Sequence, residues 1–300
     1  MKLLRLLFAL CVLAGGVACT PSERTHIVVT TNILGDVVRQ LVGDQARVSV
    51  LMKPNADPHS FAISAREAHG LQTADLVVYN GLGLEEGVLR HVRAAKDAGV
   101  ATVEVAANVE PIEYRDGDAA GLPDPHFWTD PARMGTAVRL LADEIVDHVD
   151  GVDADALRDR ADAYAEEIGA LDAGLRKRFA EIPAARRVLV TNHHVFGYLA
   201  ERYALEVVGA IIPSGTTLAS PSASDLASLV TAITTHRVPA IFADTSQPAR
   251  LAEVLASSGG VTVRVIALYS ESLSDADGQA PTYLAMMRFN AEAIIDGLTG

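Results

Sequence analysis

The 300-residue chain is 49% hydrophobic and 21% charged, and its 38 acidic residues outnumber its 25 basic residues to give a net charge of −13. This hydrophobic fraction excludes global disorder, and a chain of this length holds about two domains with cores of their own. We expect no nucleic acid partner, because binding to DNA or RNA relies on clustered Lys and Arg.

The first 18 residues have the features of an export signal. Lys2 and Arg5 precede an apolar run over residues 6–17, which is too short to cross a bilayer as a helix. Small residues before Cys19 suit cleavage directly in front of it. The mature chain then carries a net charge of −15, because Lys2 and Arg5 leave with the signal. Cys19 becomes its only cysteine, so we expect no disulfide and no thiolate metal site.

After a tether at residues 19–25, short β-branched runs alternate with helical patterns in a first lobe, residues 26–150. This alternation is typical of βα units and a parallel sheet. The sequence predicts a short helix over residues 65–72. Strands are predicted at residues 27–30, 47–52, 76–79 and 101–105.

The same alternation returns in a second lobe, residues 184–300. Its strands are predicted at residues 187–190, 206–211, 240–242 and 261–268. We therefore predict an α/β fold of two βα lobes with parallel-rich sheets. Ligands of such sheets bind outside the carboxyl ends of the strands, which places the predicted site in the cleft between the lobes.

One long, rigid helix is predicted to join the lobes within residues 151–183. From Leu157 to Leu175, apolar residues recur every three or four positions in a single stripe, and Pro183 ends the pattern. A helix of about 29 residues is roughly 40 Å long, enough to run along both lobes. The stripe could instead form a coiled coil between two chains, but Ala, Gly and Tyr in its seam favour a monomer.

Four of the nine histidines lie where the backbone can hold a side chain in place. His59 and His126 stand in proline-braced loops, whereas His193 and His194 directly follow a predicted strand. Flanking prolines fix the backbone and so place the imidazole. Several imidazoles without cysteine suit Zn²⁺ and other late first-row ions more than Ca²⁺ or Mg²⁺. No His-Glu-x-x-His motif is present, which counts against a metalloprotease.

A glycine-rich segment at residues 81–87 follows the third strand and is similar to a dinucleotide fingerprint. Its third glycine is one residue late, and Glu85 and Glu86 would face the pyrophosphate. We expect no nucleotide there. The chain also has no Walker A sequence, so any ATPase that it serves must be another chain.

Short sequence segments, spread in the same order over nearly the whole chain, resemble those of the solute-binding proteins of bacterial zinc and manganese ABC importers. The matching segments run from Thr30 to Asp36, from Asp57 to Phe61, from Tyr79 to Glu85, from Pro125 to Pro131, from Asn192 to Tyr198, from Leu268 to Leu273 and from Tyr283 to Asn290. The resemblance implies a protein that captures a divalent metal and delivers it to a permease with a separate ATPase subunit, without an enzymatic step.

The resemblance also implies four metal ligands, two from each lobe: His59, His126, His193 and Glu271. Position 193 carries His in zinc-type members and often Glu in manganese-type members, so His193 favours Zn²⁺ as the transported ion, with Mn²⁺ or Fe²⁺ as the alternative. His194 stands where the family has Asp or a small residue, and we expect it to point away from the cleft. Asp244 is the rival carboxylate, with a structural role as a strand-end cap.

Four protein ligands at about 2.0 to 2.2 Å fill a tetrahedral Zn²⁺ shell and reserve no position for water. That suits a carrier, because metal-assisted hydrolysis needs an open position. A zinc hydrolase with Glu271 as general base and an adhesin with a structural metal are the alternatives from other classes. Affinity is expected to fall below about pH 6.5, where imidazoles become protonated.

The resemblance places the protein outside the cytoplasm, in the periplasm or at the cell surface. The residues around the cleavage site resemble the lipobox of bacterial lipoproteins, whose new N-terminal cysteine is acylated. Gly16 stands where that motif usually has Leu. We expect a lipid anchor at Cys19, with plain secretion as the alternative.

Overall fold

Two four-stranded parallel sheets frame the part of the chain that the computed structural model describes, residues 25–258 and 263–300. The predicted export signal at residues 1–18 and the anchor residue Cys19 lie outside the described residues. No helix of the described segments is both long enough and apolar enough to cross a bilayer.

The first sheet has the strand order β2-β1-β3-β4, and all of its neighbouring strands pair in parallel. The strands are β1 (His26–Val29), β2 (Arg47–Val50), β3 (Leu76–Tyr79) and β4 (Ala101–Glu104). The central strands β1 and β3 are runs of Val, Ile and Leu that are buried on both faces, as expected of a parallel sheet covered by helices.

The second sheet repeats this order as β6-β5-β7-β8, again in parallel. Its strands are β5 (Val188–Thr191), β6 (Glu206–Ala210), β7 (Ala240–Asp244) and β8 (Arg264–Leu268). The predicted α/β fold of two βα lobes is confirmed, and strand ends differ from the predicted ones by a few residues. The predicted boundaries of the lobes stay a prediction.

Helices cover the faces of both sheets and connect the strands. They are α1 (Asn32–Val42), α2 (Ala65–Gln72), α3 (Leu89–Asp97), α4 (Pro131–His148), α5 (Ala154–Ala180), α6 (Gly197–Tyr203), α7 (Ala223–His236), α8 (Arg250–Ser258) and α9 (Tyr283–Thr299). The predicted short helix coincides with α2, whose capping box of Ser64 and Glu67 fixes its start.

The helix α5 is the predicted connector. It begins after Asp153, whose side chain accepts a hydrogen bond from the backbone N–H of Ala156 at 3.1 Å. Its apolar stripe is buried from Leu157 to Leu175, and α5 packs against α1, α4, α6 and α9. Because helices of the same chain cover this stripe, it is not free to form a coiled coil between two chains.

Arg202 joins three helices on the side of the cleft next to α5. It lies on α6, and its guanidinium contacts Asp172 of α5 at 2.5 and 2.8 Å and Asp130, which caps α4, at 3.2 Å. Paired contacts of this kind between a guanidinium and a carboxylate also fix orientation. The two lobes are therefore held together along α5.

Candidate metal centre

The carboxyl ends of the two sheets face each other, and four loops that follow strands carry the candidate ligands. His59 follows β2 and His126 follows β4, whereas His193 follows β5 and Glu271 follows β8. All four side chains are almost completely buried, with at most 1% of each residue exposed. The structure therefore brings together the four residues that the resemblance implies, two from each lobe.

The side-chain atoms that could bind an ion form a compact cluster, all within 4.8 Å of one another. The Nε2 atoms of His59 and His126 are 3.4 Å apart. The carboxylate of Glu271 lies 3.5 Å from His59 Nε2, 3.5 Å from His126 Nε2 and 3.3 Å from His193 Nε2. In the described part of the chain this is the one group of three or more His, Cys, Asp or Glu residues so arranged.

Several of these atoms are buried without a hydrogen-bond partner among the described residues: His59 Nδ1, both ring nitrogens of His193 and both carboxylate oxygens of Glu271. The Glu271 oxygens lie near imidazole nitrogens but lack the geometry of a hydrogen bond. Buried polar groups are normally paired, so a convergent set of unpaired ones is typical of a site that binds a cation.

Asp57 and Asp124 place two of the histidines through the same local turn. Each stands two residues before a histidine, and its Oδ1 accepts the backbone N–H of that histidine at 2.9 Å, in His59 and in His126. Asp124 Oδ1 also lies 2.8 Å from His126 Nδ1. A carboxylate at Nδ1 keeps the proton there and turns Nε2 towards the cluster.

His193 and His194 separate as expected. Thr191 Oγ1 donates to the carbonyl of His193 at 2.7 Å and holds the turn after β5. The backbone N–H of His194 donates to the Ser214 carbonyl at 3.2 Å, and its ring lies beside Tyr114, outside the cluster. The helix α6, which follows this turn, begins at Gly197.

Asp244 positions Glu271 and does not join the cluster. Its Oδ2 accepts the backbone N–H groups of Ser270 and Glu271, each at 3.1 Å, and the Ser270 hydroxyl. The indole of Trp128 donates to the Ser270 carbonyl at 2.9 Å from the other lobe. The rival carboxylate is thus a strand-end cap that holds the loop of Glu271 in place.

Burial shifts the proton affinities of the cluster. It lowers the pKa of His59 to about 4 and that of His126 to about 3, and it also lowers the pKa of His193. It raises the pKa of Glu271 to about 7. The three imidazoles are therefore neutral at physiological pH, whereas the carboxyl of Glu271 titrates near neutrality.

Sequence reasoning did not assign a role to Asp57, Asp124 or Tyr114. The first two had a detectable signal, since Asp-Pro-His occurs twice, at residues 57–59 and 124–126. Tyr114 gave no such signal. Its hydroxyl lies 3.3 Å from the Nδ1 of His126, which is 12 residues further along the same loop.

The glycine-rich segment after β3 is closed to phosphates by its own glutamate. The Glu85 carboxylate accepts the backbone N–H groups of Asn80 at 2.7 Å and Gly81 at 3.1 Å, and the Thr30 hydroxyl at 2.7 Å. These backbone donors are the kind that a phosphate would need. The structure therefore agrees with the expectation that no nucleotide binds there.

Replacing Asp124 with Ala should change the tautomer of His126, because its Nδ1 then loses the carboxylate acceptor. We expect the metal-free variant to show a mixture of Nδ1-H and Nε2-H forms by ¹H–¹⁵N NMR, where the wild type holds the Nδ1-H form. Asp116→Ala, an exposed carboxylate of the same loop, is the control and should leave the spectrum unchanged. An unchanged tautomer in Asp124→Ala would contradict this role.

Comparison with known proteins places the chain among metal-binding proteins. The iron-binding protein YfeA of Yersinia pestis is 31% identical over 281 residues, 92% of this chain and 87% of that protein. The zinc-binding protein TroA of Treponema pallidum is 30% identical over 276 residues, 91% and 88% of the two chains. The manganese-binding lipoprotein MntA of Bacillus subtilis is 29% identical over 283 residues, 92% and 90%.

The fold of this chain also matches that of a solved structure from the same group of metal-binding proteins. The structure of the periplasmic zinc-binding protein TroA from Treponema pallidum superposes with a TM-score of 0.85 at 28% identity and covers 92% of this chain and 100% of that one. The family described as zinc-uptake complex component A, periplasmic, matches residues 27–297. Its members are substrate-binding proteins of ABC importers and not enzymes, so the hydrolase alternative is not retained. The chain belongs to this family of periplasmic metal-binding proteins.

Proposed function

We propose that this protein captures one Zn²⁺ ion with His59, His126, His193 and Glu271 and delivers it to an ABC importer. The observation that carries the proposal is the buried cluster of four side chains whose potential ligand atoms lie within 4.8 Å of one another. A bound cation would supply the partner that the buried nitrogen and carboxylate atoms lack.

The spacing of the cluster supports zinc. Four ligands at about 2.0 to 2.2 Å in a tetrahedron lie about 3.3 to 3.6 Å from one another. Glu271 Oε1 lies 3.3 Å from His193 Nε2 and 3.5 Å from His126 Nε2, and the Nε2 atoms of His59 and His126 are 3.4 Å apart, which is close to that spacing, while no separation in the cluster exceeds 4.8 Å. Three imidazoles and one carboxylate also suit Zn²⁺ in chemical type.

A Mn²⁺ or Fe²⁺ carrier is the second candidate, and the orientation of Glu271 favours it. One of its oxygens lies near His59 and the other near His126 and His193, so both face the imidazoles. A carboxylate that binds through both oxygens would make five ligands, more than the four of a tetrahedral Zn²⁺ site. Relatives named for iron and for manganese are consistent with this candidate.

The charge of the site suits a carried cation. Glu271 offsets one of the two positive charges of the ion, and the buried carboxyl groups of Asp57, Asp124 and Asp244 surround the cluster. With all four ligand positions taken by protein, no water is activated. The implied partners are a permease, which receives the ion, and a separate ATPase subunit.

We also propose that Cys19 carries a lipid that holds the protein at the outer face of the cytoplasmic membrane or at the cell surface. Cys19→Ser should then move the protein from the membrane fraction to the soluble fraction, because one acyl-bearing residue is lost. Fractionation of cells that express the two forms measures this. Equal membrane association of both forms would favour attachment by other means.

Two neighbouring histidines provide a matched test of the ligand set. His193→Ala should weaken Zn²⁺ binding by about 100-fold or more, since it removes one of four ligands, whereas His194→Ala should change it by less than about threefold. Competition against a chelator of known affinity measures both, and His69→Ala is an exposed histidine control. Equal losses in the two variants would contradict the assignment of His193.

The same titration run with Zn²⁺ and Mn²⁺ in competition separates the two candidate functions. We expect Zn²⁺ to bind more tightly. Binding of Mn²⁺ at least as tight as that of Zn²⁺, against the usual order of affinities, would replace zinc with the second candidate.

The pH dependence of binding should follow Glu271 and not the histidines. The metal needs the ionised carboxylate, so affinity falls by up to about tenfold per unit as the pH drops below about 7, and levels off above pH 8. The fall in affinity is therefore expected at a higher pH than the sequence predicts from free imidazoles. The reason is that burial already keeps the imidazoles of His59 and His126 neutral. Chelator competition from pH 5.5 to 8.5 tests it, and Glu271→Gln should bind more weakly with a flatter profile. An inflection that persists in that variant would assign the proton to another group.

A further inference from the structure

A segment of the second lobe that offers none of the four candidate ligands lies over the cluster and binds the first lobe. This segment, Ser214–Thr217 between β6 and α7, is called the latch loop below. It forms one wall of a groove of about 400 Å³ that reaches His59. Leu82, Pro123 and Pro125 of the first lobe line the opposite wall.

The latch loop makes three hydrogen bonds to three different side chains of the first lobe. The Tyr114 hydroxyl donates to the Gly215 carbonyl at 3.3 Å. The Thr216 hydroxyl donates to Glu86 at 2.7 Å, and the Thr217 hydroxyl donates to Asp57 at 2.6 Å. The loop therefore bridges the cleft beside the candidate ligands.

Asp57 connects the latch loop to a candidate ligand. Its Oδ1 accepts the backbone N–H of His59 at 2.9 Å. Its Oδ2 accepts the hydroxyls of Ser60 at 2.9 Å and Thr217 at 2.6 Å, and the side-chain amide of Gln247 at 2.8 Å. Thr217 and Gln247 belong to the second lobe, so one buried carboxylate joins the His59 turn to the opposite lobe.

Contacts between the lobes near α9 are more deeply buried than those of the latch-loop threonines. Near α9, Asn32 exchanges hydrogen bonds with Ser272 and Leu273, and the backbone N–H of Tyr283 donates to Asp36. These groups are buried, whereas the latch-loop threonines are only half-buried. Contacts of half-buried side chains are the ones that open at lowest cost.

We propose that the latch loop and Gln247 control how long the metal is retained: their hydrogen bonds to Asp57 keep the groove over His59 narrow and hold the His59 turn in place. The cleft would open at this edge while the contacts along α5 and α9 persist. The proposal rests on the metal-carrier function proposed above. It makes Thr217 and Gln247 positioning residues that act on the metal through Asp57.

The test measures the rate at which Zn²⁺ leaves the loaded protein when a large excess of chelator is added. Thr217→Val and Gln247→Met each remove one bond to Asp57, and each should release Zn²⁺ about tenfold faster, because hydrogen bonds to charged groups are the stronger ones. The double variant should be faster still. Thr217→Ser keeps the hydroxyl and should behave like the wild type.

Thr231→Val is the matched control, since that exposed hydroxyl only bonds the Ala227 carbonyl of its own helix. All variants should bind one Zn²⁺, and the unfolding midpoints of the metal-free forms show how much of any faster release comes from a general loss of stability. Glu86→Ala removes the acceptor of the Thr216 hydroxyl, and it should also release Zn²⁺ faster if Thr217→Val folds poorly and cannot be measured.

Release rates within twofold of the wild type in Thr217→Val and Gln247→Met, at full Zn²⁺ loading, would overturn the latch and leave the carrier function standing. A wild-type protein that does not bind Zn²⁺, Mn²⁺ or Fe²⁺ would overturn the carrier function and the latch together. Faster release in both variants and wild-type release in Thr217→Ser is the result expected of the latch.

Discussion

Four polar side chains are buried together where the carboxyl ends of two parallel sheets meet, and the rest of the structure serves this arrangement. A buried donor or acceptor without a partner costs about 1 to 3 kcal/mol. His193 and Glu271 each present two such atoms, and His59 presents a further one. Contacts of the protein itself position these side chains, so the protein sets the geometry that a bound cation would meet.

Buried carboxylates position most of the candidate ligands, because they accept hydrogen bonds from the backbone N–H groups of those residues. Asp57 and Asp124 act on histidines two residues ahead, whereas Asp244 acts on Glu271 from a neighbouring strand. Each of these groups is a buried acidic side chain close to the cluster. The same side chains therefore fix the geometry of the site and favour a divalent cation inside it.

The contacts between the lobes differ in how deeply they are buried. Along α5, Arg202 makes paired ionic contacts, and near α9, Asn32 makes buried hydrogen bonds. These contacts join the two lobes. Across the mouth of the cleft, single hydrogen bonds from half-buried threonines reach Asp57 and Glu86. In the latch proposed above, the half-buried contacts would separate while the buried ones persist.

Local sequence patterns determined much of the fold and of the site. The alternation of β-branched runs with helical spacing predicted the strands, and the three-and-four repeat from Leu157 to Leu175 predicted α5, because these patterns depend on the periods of the chain itself. The motifs around His59, His126, His193 and Glu271, read through a family resemblance, predicted which side chains meet. Proline and aspartate close to two of these histidines fix the backbone locally. The sequence alone can therefore indicate that these two side chains are held in place.

Only the tertiary structure decided what depends on distant contacts and on burial. Asp57 meets Thr217 and Gln247 across 160 and 190 residues, a pairing that no local pattern encodes. The separate roles of Asp244 and Glu271 followed from the packing of the loop after β8 against β7 and Trp128. The pKa of Glu271 near 7 and the low pKa values of His59 and His126 arise from desolvation, which exists only once the two lobes enclose them.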